Sequence, residues 1–225
     1  MKISYLNKNL DHFKNLNSSF IIKLTAVKDL WIFNCCDGFQ YSISYKALKI
    51  NNISKIIITD LRINNISGLL GLLSSLNLIG RIKALHIYGP IGLKYYLDLG
   101  KKYSQTNFNY IVYIHILKLG LVINHYQYRI YTFINCSQYE FVIIQIEQYG
   151  TFLLNKAKKN YLIPGPLYGQ LKKGAIFILP DGFIFNGYSF TNLNILGSQF
   201  SLFLNQYCNR RILENSLLSN IILYH

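Results

Sequence analysis

KIIITDLRINNISGLLGLLSSLNLIGRIKALHIYGPIGLKYYL, residues 55–97, reads in order as strand, loop, helix, strand, turn and helix. The β-branched runs at 55–59 and 84–88 have the length and composition of buried strands, and helical patterns are expected over 67–78 and 91–102. Outward from this block, further strands are expected at 20–25 and 30–34 on one side. On the other they are expected at 110–116, 128–134, 141–146, 200–204 and 221–223, with helices at 41–49 and 210–218. The early strands are separated by helices and the middle ones follow each other through short turns. That pattern predicts a mixed α/β architecture with helices on the outer faces of sheets.

Residues 150–190 break this rhythm. They hold three of the four prolines, six glycines and five lysines before the first acid at Asp181. Pro164-Gly165-Pro166 fixes two φ angles around a permissive residue, which suits a projecting turn better than a core element. The segment reads as an arm or hairpin insertion; the alternative is a surface loop, which at this length is uncommon without a function.

The 225 residues suit one domain with an appendage, and 51% hydrophobic with 15% aromatic residues supply a packed core. No apolar run approaches the ~18–20 residues that cross a bilayer. The first ten residues lack the apolar block of a secretory signal, so a soluble product with no membrane partner is expected. The 23 Lys+Arg against 9 Asp+Glu leave a formal net charge of +14. However, 33 Ile, 23 Asn and 18 Lys against 5 Arg and 5 Ala is the signature of AT-rich codons, as in an organelle's genome. The basic balance therefore has two readings, a nucleic-acid surface or a generally basic organellar protein. Cys35, Cys36, Cys136 and Cys208 show no zinc spacing and read as small buried residues in a reducing compartment.

Three stretches in order resemble the tRNase Z (ribonuclease Z) family of the metallo-β-lactamase fold. LWIFNCCDGFQYSI at 30–43 is similar to the family's strand ending in an Asp-Cys-Gly-Glu-x-x-Gln turn. Residues 55–97 follow the family from its metal-binding loop through a Gly-Leu-Pro-Gly-Leu-Leu-type helix to Tyr-Gly-Pro-x-Gly-Leu. IPGPLYGQLKKGAIFILPDGFIFNGYSF at 163–190 is similar to the arm with which the family grips tRNA. The resemblance implies an α/β metallo-β-lactamase-like αββα sandwich over 1–225, C-terminally shortened, with a protruding arm at 150–190 and a plastid location. It also implies tRNA as ligand and a homodimer, or a heterodimer with an active tRNase Z.

The family's chemistry uses two zinc ions that hold a hydroxide for attack on a phosphodiester, so its ligands are imidazoles and carboxylates. They come chiefly from Thr-His-x-His-x-Asp-His. Here that loop reads Thr59-Asp60-Leu61-Arg62-Ile63-Asn64-Asn65. The guanidinium of Arg62 puts a permanent cation where a dication belongs, and Asn64 and Asn65 offer only neutral oxygens. Asn64 also replaces the aspartate that the resemblance assigns to proton transfer. Asn135 stands for the next histidine, Asn205-Gln206-Tyr207 replaces the turn with the bridging aspartate, and Leu6-Asn7-Lys8-Asn9 lacks the glycines of the first loop. The chain ends at His225, before the region of the last family ligand. No zinc cofactor and no catalytic residue are therefore expected. Arg62 is expected to fill part of the emptied cavity and to pair there with Asp60.

The remaining histidines, His12, His86, His115, His125 and His225, form no i, i+2 or i, i+4 pair, and His86 and His115 lie within strand patterns. No nucleophile elbow, P-loop or GxGxxG string is present. Binding chemistry remains: Lys156, Lys158, Lys159, Lys172 and Lys173 near Tyr161 and Tyr168, with Pro164, Gly165, Pro166 and Gly174. The glycines are expected to offer backbone N–H groups to phosphate. Gly165-Pro166 and Lys173-Gly174 match the family's tRNA-gripping elements. The expectation is a non-catalytic tRNase Z-like protein that binds tRNA or partners an active nuclease. The alternatives are an active 3′-tRNA-processing endoribonuclease with unconventional ligands, and a decaying reading frame whose product merely folds.

Overall fold

The computed structural model describes residues 2–5, 19–24, 28–135, 138–179, 182–194, 196–203, 214, 219 and 221–224. β1 (Lys2–Tyr5), β2 (Phe20–Leu24), β3 (Asp29–Phe33), β4 (Ile53–Ile57), β5 (Leu85–Gly89) and β6 (Val112–Ile116) form a six-stranded sheet in that order. The first three strands pair antiparallel and β3 to β6 pair parallel. The change follows from the connections. Parallel neighbours need a crossover, and here each crossover carries helix: α1 (Phe39–Tyr45), then α2 (Ile63–Ile66) with α3 (Leu69–Leu78), then α4 (Leu93–Ser104). The second sheet, ordered β13-β12-β9-β8-β7, contains β7 (Gly120–Asn124), β8 (Tyr128–Asn135), β9 (Gln138–Gln145), β12 (Ser198–Phe203) and β13 (Ile221–Tyr224).

Two cores separate the layers. Period-2 alternation in β3 sends Leu30 and Ile32 toward the helices, where they meet Phe39, Ile43 and Leu72, all buried. Trp31 and Phe33 face the second sheet and pack with Tyr128, Ile130 and Phe141. β3 is thus buried on both faces, as a central strand of a parallel array requires. The expected helix at 210–218 lies, Glu214 apart, outside the described residues. Among the described residues no helix is long and apolar enough to cross a membrane.

Several expected boundaries change. The helix expected at 67–78 begins at Leu69, after an unexpected α2 and after Gly68, whose N–H donates to the Cys35 carbonyl at 2.9 Å; a Cβ there would lie 2.2 Å from the Cys36 oxygen. β1 and β7 were not expected. The first is only four residues long, and the second begins on a glycine and leaves Leu121 47% exposed, so neither shows a clear alternation. The segment read as a hairpin contains helix as well. α5 (Leu154–Lys159) and α6 (Pro166–Lys172) precede the hairpin of β10 (Ile176–Ile178) and β11 (Ile184–Asn186), and a bridge between Phe152 and Thr191 closes the unit. Ala157, Leu171 and Phe190 form its own small core. Pro164-Gly165-Pro166 is exposed as expected, but Pro166 starts α6, at a position where a missing N–H costs nothing.

Strand direction fixes two ends of the sandwich. β3 and β4 finish at the end where the 59–65 loop follows; there Phe33 meets Phe141 with ring centroids 5.4 Å apart. At the other end Trp31 meets Tyr128 at 6.0 Å, and Tyr128 pairs with Gln145, which pairs with Ser198. Residues 146–197 therefore leave the sandwich at the end opposite the loop.

Candidate functional site

The 59–65 loop is held from both sides. Ile58 N–H donates to the Tyr88 carbonyl at 2.8 Å, which continues the β4–β5 pairing. Asn34 follows β3 with φ 55, and its Oδ1 accepts the N–H of Thr59 at 2.9 Å and its hydroxyl at 3.0 Å. Both residues are fully buried. Cys35 N–H donates to the Asn65 carbonyl at 2.7 Å. Burial pushes the Cys35 and Cys36 thiols above their ordinary range, so both are poor nucleophiles and poor ligands.

Within this frame Asp60 is the loop's carboxylate, and it is already engaged. Its Oδ1 accepts the backbone N–H of Arg62 at 3.0 Å and the Nδ2–H of Asn65 at 2.6 Å, and its Oδ2 lies 3.7 Å from Arg62 Nε. The expected Asp60–Arg62 pair exists, but the expected filling does not: the Arg62 side chain is 70% exposed, against 17% for Asp60. A long, strongly charged side chain on a surface loop keeps its head in water. Asn64 is exposed on α2, while Asn65 is buried and turns a donor toward Asp60.

A zinc ion needs anionic or imidazole lone pairs that face it at about 2.0–2.3 Å. Here the carboxylate faces two N–H donors and a guanidinium, and the other polar side chains are carboxamides, so the loop does not fit a zinc pair. Among the described residues no group of three or more His, Cys, Asp or Glu is placed to hold a metal. Asn135 ends β8 at the loop end of the sandwich, but its side chain, residues 6–9, Cys136, 205–207 and His225 lie outside the described residues.

The structure makes one pairing that sequence spacing concealed. Parallel registration of β5 on β6 brings His86 Nδ1 within 3.0 Å of His115 Nε2, and both rings stack with Tyr113 or Tyr88. One ring nitrogen must donate and the other accept, so the two rings cannot both carry a proton at the contact. Burial, Lys55 and His115 lower the His86 pKa. His125 packs edge-on against Trp31 at 5.7 Å, and burial lowers its pKa as well. His86, His115 and His125 thus each pack against aromatic rings. His12 lies outside the described residues.

On the arm, Lys158, Lys159, Lys172 and Lys173 are exposed, as are Pro164, Gly165 and Pro166. Three further residues of the expected set are engaged within the arm itself. Lys156 Nζ donates to the Ser189 carbonyl at 2.7 Å and sits 5.8 Å from the Phe190 ring, which ties α5 to the small core. Gly174 N–H donates to the Leu171 carbonyl at 2.9 Å and ends α6 at φ 87, so phosphate does not receive it. The Tyr168 hydroxyl donates to Leu162 and its ring packs on Phe152, whereas Tyr161 is 94% exposed. The buried acceptor Asn34 was missed; its signal was an Asn, the residue that best tolerates left-handed backbone, at a strand end.

No family model matches the chain. It is 36% identical over 204 residues to the uncharacterized protein ycf56 of Porphyra purpurea, covering 89% of this chain and 78% of that one. It is 34% identical over 173 residues to ribonuclease Z of Nostoc sp., covering 76% of this chain and 54% of that enzyme, so it spans about half the enzyme's length. Its fold is similar to that of human tRNase Z, short form, with a TM-score of 0.50 and 22% identity over 56% of this chain and 57% of that one. The layered sheets, the position of the 59–65 loop and these similarities together place the chain in the tRNase Z (ribonuclease Z) family of the metallo-β-lactamase fold, alongside the ycf56 proteins.

Proposed function

We propose that this chain is a single-domain tRNase Z-like protein that binds tRNA without cutting it and uses residues 150–190 as the arm that holds the RNA. The non-catalytic half rests on Asp60: its carboxylate is satisfied by protein donors beside a permanent cation, where hydrolysis needs carboxylates and imidazoles on two metals. The binding half is supported by the exposed Lys158, Lys159, Lys172 and Lys173 with the exposed Tyr161 ring, a set that phosphates and bases can engage without sequence readout. AT-biased composition and the ycf56 relative support a plastid as the place where it works.

A second reading, pairing with another subunit such as an active nuclease, is favoured by the outer face of the arm hairpin. Register places Ile176, Ile178 and Ile184 on one face, 60%, 72% and 65% exposed, while Phe177 and Phe185 turn into the small core.

The test is incubation of the purified chain with a precursor tRNA and added zinc or manganese. The expected result is a retained complex of uncut RNA, weakened in a Lys172→Ala/Lys173→Ala variant. Trimmed 3′ ends formed in a chelator-sensitive reaction overturn the non-catalytic reading, and unchanged affinity in the variant removes the arm from it.

A further inference from the structure

A cavity of about 610 Å³ opens where β3 begins and where the turn after α1 leads into β4. Lys23, Lys28 and Lys49 supply its charge, Asn52 a carboxamide, and Leu30 and Leu48 apolar walls; among the described residues no carboxylate lines it. The neighbouring Asp29 begins β3, and its charge acts on Lys55, His125 and Arg81.

The cavity has a fixed frame. Ala47 N–H donates to Ser44 O and Leu48 N–H to Ile43 O, the paired bonds that end a helix with its next residue in left-handed backbone. Ala47, at φ 51, takes that position without being glycine, and Lys28, at φ 60, is left-handed too. Behind the turn, Arg81 is 2% exposed and donates to the carbonyls of Asn51, Lys83 and Ala84 at 3.3, 2.7 and 3.0 Å. Asn52 N–H closes the turn on Lys49 O at 3.0 Å.

Its place matters most. The cavity lies at the start of β3, the end of the sandwich from which residues 146–197 depart, opposite the 59–65 loop. The cavity and the arm's point of departure therefore share one end of the sandwich.

We propose that the Lys23–Lys28–Lys49 cavity is a second phosphate site that receives the RNA backbone on the arm side of the molecule; the inference rests on the RNA-binding reading above. Three flexible ammonium groups without an arginine fork or a buried donor suit a polyanion already positioned elsewhere better than a small free anion. The half-buried Leu48 offers apolar surface to the sugars between phosphates.

The test is tRNA affinity measured against salt for the wild type, a Lys23→Gln/Lys28→Gln/Lys49→Gln variant, a single Lys49→Gln variant and the Lys172→Ala/Lys173→Ala variant. Each lost phosphate contact lowers the log–log slope by roughly 0.7–0.9. The triple variant is expected to lose about 2 in slope and to bind at least tenfold more weakly at about 0.1 M salt. Lys49→Gln, a single exposed change that leaves the fold intact, is expected to lose one such step, additive with the arm variant. Unchanged slopes in both cavity variants, with the arm variant weakened, overturn this inference and leave the RNA reading standing. A wild type that binds no tRNA overturns both. Loss of binding to phosphatidylserine vesicles or pyrophosphate in the triple variant, with tRNA affinity unchanged, reassigns the cavity and also overturns the inference.

Discussion

Asn34 shows how much one side chain can hold. Its carbonyl oxygen serves both donors of Thr59 in a fully buried site, so Asn34→Ala leaves two donors without an acceptor and places alanine in left-handed backbone. Each orphaned donor costs about 1–3 kcal/mol, and the backbone about 1 more. A loss of about 3 kcal/mol, read as a lower urea midpoint, is expected; an unchanged midpoint removes Asn34 from the frame. His86 gives a pH prediction. Its folded pKa lies below the ordinary 6.5, so the unfolded chain takes up the proton first. Stability is therefore unaffected by this group above pH 6.5 and falls as pH drops below it, until the folded pKa is passed. Thermal midpoints should decline on acidification from about pH 6.5 to 5, and less steeply in His86→Gln. An identical decline in that variant assigns the effect elsewhere. Sequence alone could show that Arg62 replaces a ligand, but not that its side chain would turn outward, because the backbone N–H that engages Asp60 is common to every residue.

At the scale of elements, the expected strands and helices of residues 20–116 match the structure to within a few residues, because buried β-branched runs and leucine-rich helical patterns are strong local signals. What the sequence hid was set by contacts between distant segments. α3 starts only after Gly68 because the Cys35–Cys36 backbone crosses there, and the His86–His115 contact exists only through parallel registration. The arm's helices were hidden behind proline and glycine, which mark turns but also begin and end helices. The end of α1 yields a prediction of its own. Ala47 holds the left-handed position where glycine carries no penalty, so Ala47→Gly should raise stability by up to about 1 kcal/mol, seen as a higher thermal midpoint. A lower midpoint would show that the turn gains more from the alanine side chain than its backbone loses.

For the whole molecule, charge and topology point the same way. A net charge of +14 coexists with one ion pair among the described residues, Arg62–Asp60, and the exposed lysines of the arm leave the sandwich at the end where Lys23, Lys28 and Lys49 line a cavity. The end that carries the 59–65 loop has the opposite character. Its loop keeps the family's position after β4, but its carboxylate is bound to protein donors and its other polar groups are amides and a guanidinium. The departure of residues 59–65 from the resembled Thr-His-x-His-x-Asp-His pattern was readable directly, whereas the basic cavity was not, because Lys23, Lys28 and Lys49 come from three separate segments that only the fold brings together. On the proposed reading this loop retains no metal pair. Its most direct test is the zinc content of the chain after saturation with zinc and exhaustive dialysis. No stoichiometric zinc is expected; a firmly held pair of zinc ions per chain would overturn the non-catalytic reading.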